Sequence, residues 1–326
     1  MKSYVMKATP DASLLELVDA PVPEPGPRQL LVKVRAASLN RGEFIVGHGL
    51  QKPGTTKSVG MEAAGEVVKA GPDAGEWDAG DRVMGRCAGA FSEYALVDLR
   101  EALEMPAALS WEEAASIPLT FLVVHDMLVV QGRLQAGEWL LVTGVSSGVG
   151  VASLQAAKAM GAKVIGTSGS QAKLERLKPE GLDVALATRK GDFHEAVMEV
   201  TGGKGVNLVV NTVGGSLFAE CVRCMAFEAR LATVGYVDNT LKAEIDIQAL
   251  HAKRLTLFGV SNKLRSAEQR AAGVPDFVRD FMPHFEAGRI RPVIDRVFPF
   301  AELPAARGHM EKNAHVGKIV VTMEES

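Results

Sequence analysis

The chain has 326 residues and a mass of 34.7 kDa, with 47% hydrophobic and 23% charged residues, enough for two domains with separate cores and too apolar for a disordered protein. A net charge of −3 and a pI near 6.2 remove the electrostatic case for nucleic acid or an anionic membrane surface as partner. The opening residues MKSYVMKATPD contain no continuous apolar stretch, so no secretory signal is expected. The longest apolar run, residues 117–130, is too short to span a bilayer and carries His125 and Asp126, which predicts a buried helix. Three cysteines, Cys87, Cys221 and Cys224, are too few for a disulfide framework and point to a reducing cytoplasm.

From Ser3 to about Leu99, short apolar strings alternate with turn residues: YVMKA, LLELVDA, LLVKVRA, AAGEVVKAG, DRVMG and FSEYALV. They predict an irregular, mostly antiparallel β domain, with PVPEPGP at 21–27 as an extended surface connection rather than a docking ligand. At Ser110 the texture changes. SWEE sets Glu113 three residues after Ser110, a capping box that starts a helix, and a second apolar helix is expected from Pro118 to Val130. From Glu138, six apolar strings (WLLVT, KVIGT, DVALAT, NLVVNT, RLATVG, LTLFGV) alternate with helical segments, the pattern of parallel strands covered on both faces. Between the first two, Val151, Leu154, Ala157 and Met160 recur at helical spacing, and Gly161 is placed to end that helix. Beyond Asn262, a long helix over 267–287, the segment RVFPF, a short helix and the strand GKIVVT are too little for a domain of their own. They are expected to pack on the N-terminal domain. The predicted fold is α/β: a doubly wound six-stranded parallel sheet, residues 118–264, inserted into a mostly antiparallel β domain made of residues 1–117 and 265–326.

The loop VTGVSSGVG follows the first of the six strands and opens a helix, the context of a dinucleotide site. There the backbone at Ser147, Gly148, Val149 and Gly150 can approach a pyrophosphate at a helix N-terminus. Aligned to GxGxxG, however, the first two glycine positions hold Val145 and Ser147. Cofactors with a free ribose 2′-hydroxyl are held by an acid at the end of the second strand; this sequence has Ser168-Gly169-Ser170 and Lys173 there and no acid, which predicts NADPH. The alternative is that Ser170 caps a helix and Lys173 is a solvated cation. Cys221 and Cys224 are three apart on an amphipathic segment and are expected to be core rather than redox residues. His48, His125, His251 and His315 show no metal-ligand spacing.

The loop resembles the TGxxxGxG pattern of short-chain dehydrogenases, but none of Tyr4, Tyr94 and Tyr236 has a lysine four residues on, so that likeness ends at the loop. Nearly the whole chain resembles the zinc-independent quinone oxidoreductase branch of the medium-chain dehydrogenase/reductase superfamily. PVPEPGPRQLLVKVRAASLN, GMEAAGEVVKAG, GDRVMG, FSEYALV, SWEEAASIPL, VTGVSSGVGVASLQAAKAMGAKVIGT and VGKIVV occur in that family's order. The resemblance implies a GroES-like catalytic domain, an inserted Rossmann domain and a cofactor cleft between them. Where zinc-dependent relatives place a cysteine and a histidine ligand, this chain has Ala37 or Ser38 and Met61, so no metal is expected, and Glu62 is given a structural, hydrogen-bonded role. Lys173 matches the lysine aimed at the 2′-phosphate, while Thr188 stands where many relatives have an adenosine-side tyrosine. Thr212, Gly235, Val260 and Lys318 complete the expected cofactor contacts.

Without zinc, a hydride from NADPH suits an acceptor that spreads the resulting charge through its own conjugation, a quinone or an α,β-unsaturated carbonyl compound. Asn40 is the expected catalytic residue and a cofactor contact, donating an amide N–H to a carbonyl; its alternative role is a helix N-cap. Ile45 and Gln51 stand where quinone reductases commonly have tyrosines, and Val123 where relatives often have threonine. Arg41 and Glu43 either reach a polar acceptor or sit in solvent. With no general acid in view, solvent is expected to protonate the product. Two other readings remain open: a cofactor-binding protein without turnover, and a zinc-dependent alcohol dehydrogenase. The resemblance also implies a small-molecule substrate and a homodimer formed through the strand near 255–261.

Overall fold

The computed structural model describes residues 1–9, 13–44 and 54–323. Ile45, His48 and Gln51 lie outside the described residues. Among the described residues seven strands come first: β1 (Lys2–Ala8), β2 (Ser13–Asp19), β3 (Gln29–Ser38), β4 (Thr56–Ser58), β5 (Glu62–Ala70), β6 (Arg82–Ala88) and β7 (Tyr94–Glu104). Six follow in the middle of the chain: β8 (Trp139–Thr143), β9 (Lys163–Ser168), β10 (Val184–Ala187), β11 (Val206–Asn211), β12 (Met225–Thr233) and β13 (Thr256–Gly259). The last two are β14 (Ile294–Pro299) and β15 (Lys318–Thr322). The chain divides into two compact units, one formed by residues 1–122 and 263–326 and the other by residues 123–262.

In the first unit the strands run in the order β14-β15-β3-β5-β6-β7, and β3 also pairs with β7, so β3, β5, β6 and β7 close into a ring. All of its pairings are antiparallel except β14 with β15. Along β3, Leu30, Val32 and Val34 join one core with Val67, Val83, Phe91 and Val97. The later segment adds Phe298, Leu303 and Val321 to the same core. Three-residue β4, which carries no apolar signal in the sequence, pairs with β1 at Val5–Ser58 and makes a small antiparallel sheet with β2.

In the second unit six parallel strands run β10-β9-β8-β11-β12-β13, the order of a dinucleotide-binding sheet in which each half is wound from the centre. Val209 lies opposite Leu141 on one side and Leu231 on the other, all three fully buried, as the unbroken apolar strings require. Cys221 and Cys224 belong to this core, and burial pushes both thiols up, Cys224 to about 12, so they are packing groups. The fold is that of a GroES-like domain with a Rossmann domain inserted in it.

Two predicted helices are corrected. The run from Pro118 is α-helical only to His125; residues Asp126–Gln131 widen into a π-helical turn, with Gln131 Nε2 donating to Asp126 Oδ2 at 3.0 Å. The helix expected over 267–287 is two, Ala267–Ala271 and Val274–Glu286, because the second restarts after Gly273 with Pro275 in its first turn, where a missing N–H costs nothing. Among the described residues, no helix is long and apolar enough to cross a membrane.

Candidate active site

In the first unit, β3 ends at Ser38 and the chain turns through Leu39 and Asn40 into a single 3₁₀ turn, Arg41–Glu43. Asn40 does not cap it: its side chain makes no capping bond. The amide points instead into a buried polar cluster built around Glu62, the first residue of β5, which is 0% exposed. Glu62 Oε1 accepts from Ser38 Oγ at 2.6 Å, Asn40 Nδ2 at 2.9 Å and Lys318 Nζ at 2.9 Å, and Oε2 accepts from the Leu119 N–H at 2.7 Å. A carboxylate with four donors, one of them cationic, is the kind of buried charge a fold tolerates.

Lys318 is 6% exposed and opens β15. Besides Glu62, its ammonium faces Asn40 Oδ1 at 2.9 Å, Leu39 O at 3.2 Å and Thr120 Oγ1 at 3.2 Å. Three N–H groups with four acceptors around them are fully occupied. In this arrangement Lys318 neutralises Glu62 and orients Asn40. Glu43, expected either to reach a polar acceptor or to sit in solvent, is 4% exposed. It accepts from Asn40 Nδ2 at 3.0 Å through Oε1 and from the Gly60 N–H at 3.0 Å through Oε2, and burial pushes its carboxyl up to about 8. Arg41 turns away from this cluster and donates to Met310 O at 2.8 Å and Asn313 Oδ1 at 2.6 Å, at the end of the helix Leu303–Glu311. Among the described residues, no three His, Cys, Asp or Glu side chains are grouped as metal ligands.

In the second unit the loop after β8 turns at Gly144, whose φ of +65° and whose approach to Thr212 Oγ1 both demand glycine; a Cβ there would stand 2.5 Å from that oxygen. Ser147 caps the helix Gly148–Ala159 by accepting from the Gly150 N–H at 3.1 Å. The first-turn N–H groups of Gly148 and Val149 have no intrahelical carbonyl to meet and are available to an anion. At Gly150 a Cβ would lie 2.6 Å from the carbonyl oxygens of both Gly144 and Val145, so only glycine lets helix and strand pack this closely.

Thr212 is committed to the sheet, its Oγ1 donating to Thr143 O at 2.7 Å, while Asn211 Oδ1 accepts from the N–H groups of Val213 and Gly214 at 3.1 Å and fixes the end of β11. Gly235 follows β12, where a Cβ would lie 3.0 Å from Thr212 O, and Val260 is buried just after β13.

At the end of β9, the Ser168 and Ser146 hydroxyls lie 3.4 Å apart, and the Ser170 N–H donates to Ser168 Oγ at 3.3 Å. Ser170 makes no side-chain cap on the helix Gln171–Leu177. Lys173, half-buried, lies in the first turn of that helix. Thr188 is held in the loop after β10 by Asp192, Oγ1 to Oδ1 at 2.6 Å. The next residue, Arg189, is one that sequence reasoning missed: its side chain lies across Gly169, and a Cβ there would be 2.0 Å from Arg189 Nε. Two cations thus flank the Ser168-Gly169-Ser170 turn. A separate cavity of about 630 Å³, lined by Trp139, Lys204, Asn207 and Phe227, opens where β8, β11 and β12 begin, the opposite end of the sheet from these groups.

Comparison with known proteins agrees with this architecture. The zinc-binding dehydrogenase family matches residues 148–273, and the alcohol dehydrogenase GroES-like domain family matches residues 26–107. Quinone oxidoreductase-like protein 2 of Bos taurus is 29% identical over 91% of this chain and 86% of its own. Among solved structures, the CurK enoyl reductase superposes with a TM-score of 0.85 at 25% identity, covering 99% of this chain and 100% of that one. Mycobacterial Rv1454c complexed with NADPH superposes with a TM-score of 0.84 at 27% identity, covering 99% of each chain. Highly reducing polyketide synthases also match: that named ALT1, from Alternaria alternata, is 31% identical over 95% of this chain, which spans 12% of the synthase's length. The chain belongs to the medium-chain dehydrogenase/reductase superfamily of oxidoreductases. Within it, the chain falls in the zinc-independent, quinone oxidoreductase-like branch.

Proposed function

We propose that the chain is an NADPH-dependent reductase of quinones or α,β-unsaturated carbonyl compounds, with residues 1–122 and 263–326 as the catalytic domain and residues 123–262 as the NADP-binding domain. One observation carries the cofactor assignment: the turn after β9 has no carboxylate from Val164 to Leu174 and is flanked by Lys173 and by Arg189, laid over Gly169. A carboxylate there would repel a 2′-phosphate, and two cations favour it. The cradle fits the rest of a dinucleotide, since Gly144 and Gly150 leave no side chain over the helix N-terminus and Gly148 and Val149 present N–H groups to a pyrophosphate. The mycobacterial relative solved with NADPH and the relatives described as quinone oxidoreductase-like and enoyl reductase support the reading.

When bound, NADPH supplies a hydride, which a conjugated acceptor takes up without a metal to polarise it. Lys173 and Arg189 hold the phosphate that distinguishes NADPH from NADH, with Ser168 and Ser170 beside them. Asn40, oriented by Glu62 and Lys318, donates its second amide N–H to the acceptor's carbonyl oxygen as charge builds there. A homodimer paired through β13, the edge of the parallel sheet, and a cytoplasmic location go with this reading.

The test is a steady-state screen of quinones and enones with NADPH and NADH, together with direct nucleotide binding. Oxidation of NADPH in preference to NADH by at least one acceptor class is expected. Tight NADPH binding with no turnover across both panels would make the chain a cofactor-binding protein instead. Binding of neither nucleotide would overturn the assignment altogether.

A further inference from the structure

The buried cluster holds two carboxylates, Glu43 and Glu62, but one ammonium, Lys318, and that ammonium is bonded to Glu62. Among the described residues, Glu43 touches no cation. It is faced by the Asn40 amide, the Gly60 N–H, the Glu62–Lys318 pair and the Cys87 thiol of β6, which burial pushes up to about 12 and so keeps uncharged.

Asn40 is the link between the two carboxylates. One of its amide hydrogens is directed to Glu43 Oε1 at 3.0 Å and the other to Glu62 Oε1 at 2.9 Å. The amide cannot turn over, because Oδ1 accepts from Lys318 at 2.9 Å and a flip would aim NH₂ at NH₃⁺. The Gly60 N–H, fixed by the backbone, needs Glu43 Oε2 as acceptor, so a proton on Glu43 resides on Oε1, opposite the Asn40 N–H. A protonated Oε1 keeps only the weak acceptor capacity of a hydroxyl oxygen and sets its own hydrogen against the amide, so the bond at 3.0 Å gives way and the Asn40 hydrogen is released.

We propose that Glu43 is a positioning residue whose protonation releases one Asn40 amide hydrogen and whose ionisation holds it, so that Asn40 offers that hydrogen to a carbonyl ligand only while Glu43 is protonated. The second half rests on the reading that Asn40 meets the acceptor carbonyl; the coupling between Glu43 and Asn40 does not. Burial places this exchange near neutral pH, since the Glu43 carboxyl is raised to about 8.

The experiment uses the full-length protein, asparagine-labelled with ¹⁵N, with the Asn40 side-chain amide assigned by its loss in Asn40→Ser. In the wild-type protein that amide should titrate in one step between pH 6 and 9.5, and Glu43→Gln, an uncharged isostere, should abolish the step. In parallel, kcat/KM for an accepted enone should fall about tenfold across the same interval in the wild-type enzyme and stay flat in Glu43→Gln. An Asn40 amide that does not move between pH 6 and 9.5, or that moves equally in Glu43→Gln, overturns the coupling. An amide that titrates while kcat/KM is flat in both proteins overturns the role toward the carbonyl. If no acceptor is reduced at any pH, the reductase reading falls and the titration still decides the coupling; the wild-type titration also stands if the variant fails to fold.

Discussion

Replacing Lys318 by methionine tests the central claim about the first unit, that Glu62 is tolerated at 0% exposure because an ammonium from β15 neutralises it. The substitution keeps the aliphatic stem but leaves a carboxylate with only Ser38, Asn40 and the Leu119 N–H as donors, and strips Asn40 Oδ1 of its partner. Breaking a buried pair from one side costs about 3–5 kcal/mol, mostly as the penalty on the charge left behind. With a urea slope of about 3 kcal/mol per M, the midpoint of the first unit should drop by about 1 M or more. Trp139 lies in the second unit, so in a Trp139→Phe background tryptophan fluorescence comes from Trp77 and Trp111 of the first unit alone. Adding Glu62→Gln should restore part of the loss, because the orphaned charge is gone. A midpoint unchanged within about 0.3 M, or a double variant no better than the single, would refute the reasoning.

Three further outcomes are expected. Gly150→Ala would press a Cβ to 2.6 Å from two backbone carbonyl oxygens, so it should cost about 1–3 kcal/mol in thermal unfolding of the second unit and weaken nucleotide binding of either kind. Lys173→Ala and Arg189→Ala should each weaken NADPH by about ten- to a hundredfold, a charge-assisted contact of about 1.5–3 kcal/mol, and leave NADH nearly unchanged; equal losses for both nucleotides in a titration would remove the 2′-phosphate assignment. Glu43 keeps its proton to about pH 8 when folded but releases it near 4.5 when unfolded. Its contribution to stability is thus complete below about 4.5 and lost as pH rises through 8, up to about 4–5 kcal/mol. Glu43→Gln should flatten the stability-versus-pH curve over that window, and an unchanged slope in urea titrations would contradict it.

The features written in local pattern were readable. Six apolar strings became the six parallel strands, and a glycine-rich turn between strand and helix became the cradle, because both depend on neighbours in sequence. Features made by distant segments were not. Asn40-Arg41-Gly42-Glu43 leaves Glu43 open to solvent or to a polar acceptor on sequence alone, and Gly60, seventeen residues on, supplies the N–H that its buried carboxyl meets. A signal did exist: Glu62 in the otherwise apolar GMEAAG marks a buried acid in need of donors. Arg189 was hidden because it reaches Gly169 from the loop after the neighbouring parallel strand, and the missing side chain that makes room for it is twenty residues away. The break before Val274 is masked because the apolar period continues through it, although Gly273 and Pro275 mark it locally.

The ion pair between Glu62 and Lys318 joins positions 256 residues apart, with the whole parallel sheet between them in sequence. At about 5–20 residues per second, a ribosome needs about 13–50 s to deliver the ammonium after the carboxylate. The ring of β3, β5, β6 and β7 can zip up in that interval, but with an acid sealed or half-sealed in its wall. Nascent chains halted anywhere before β15 should therefore carry a barrel that breathes open at Glu62, and its maturation is timed by the arrival of one late strand.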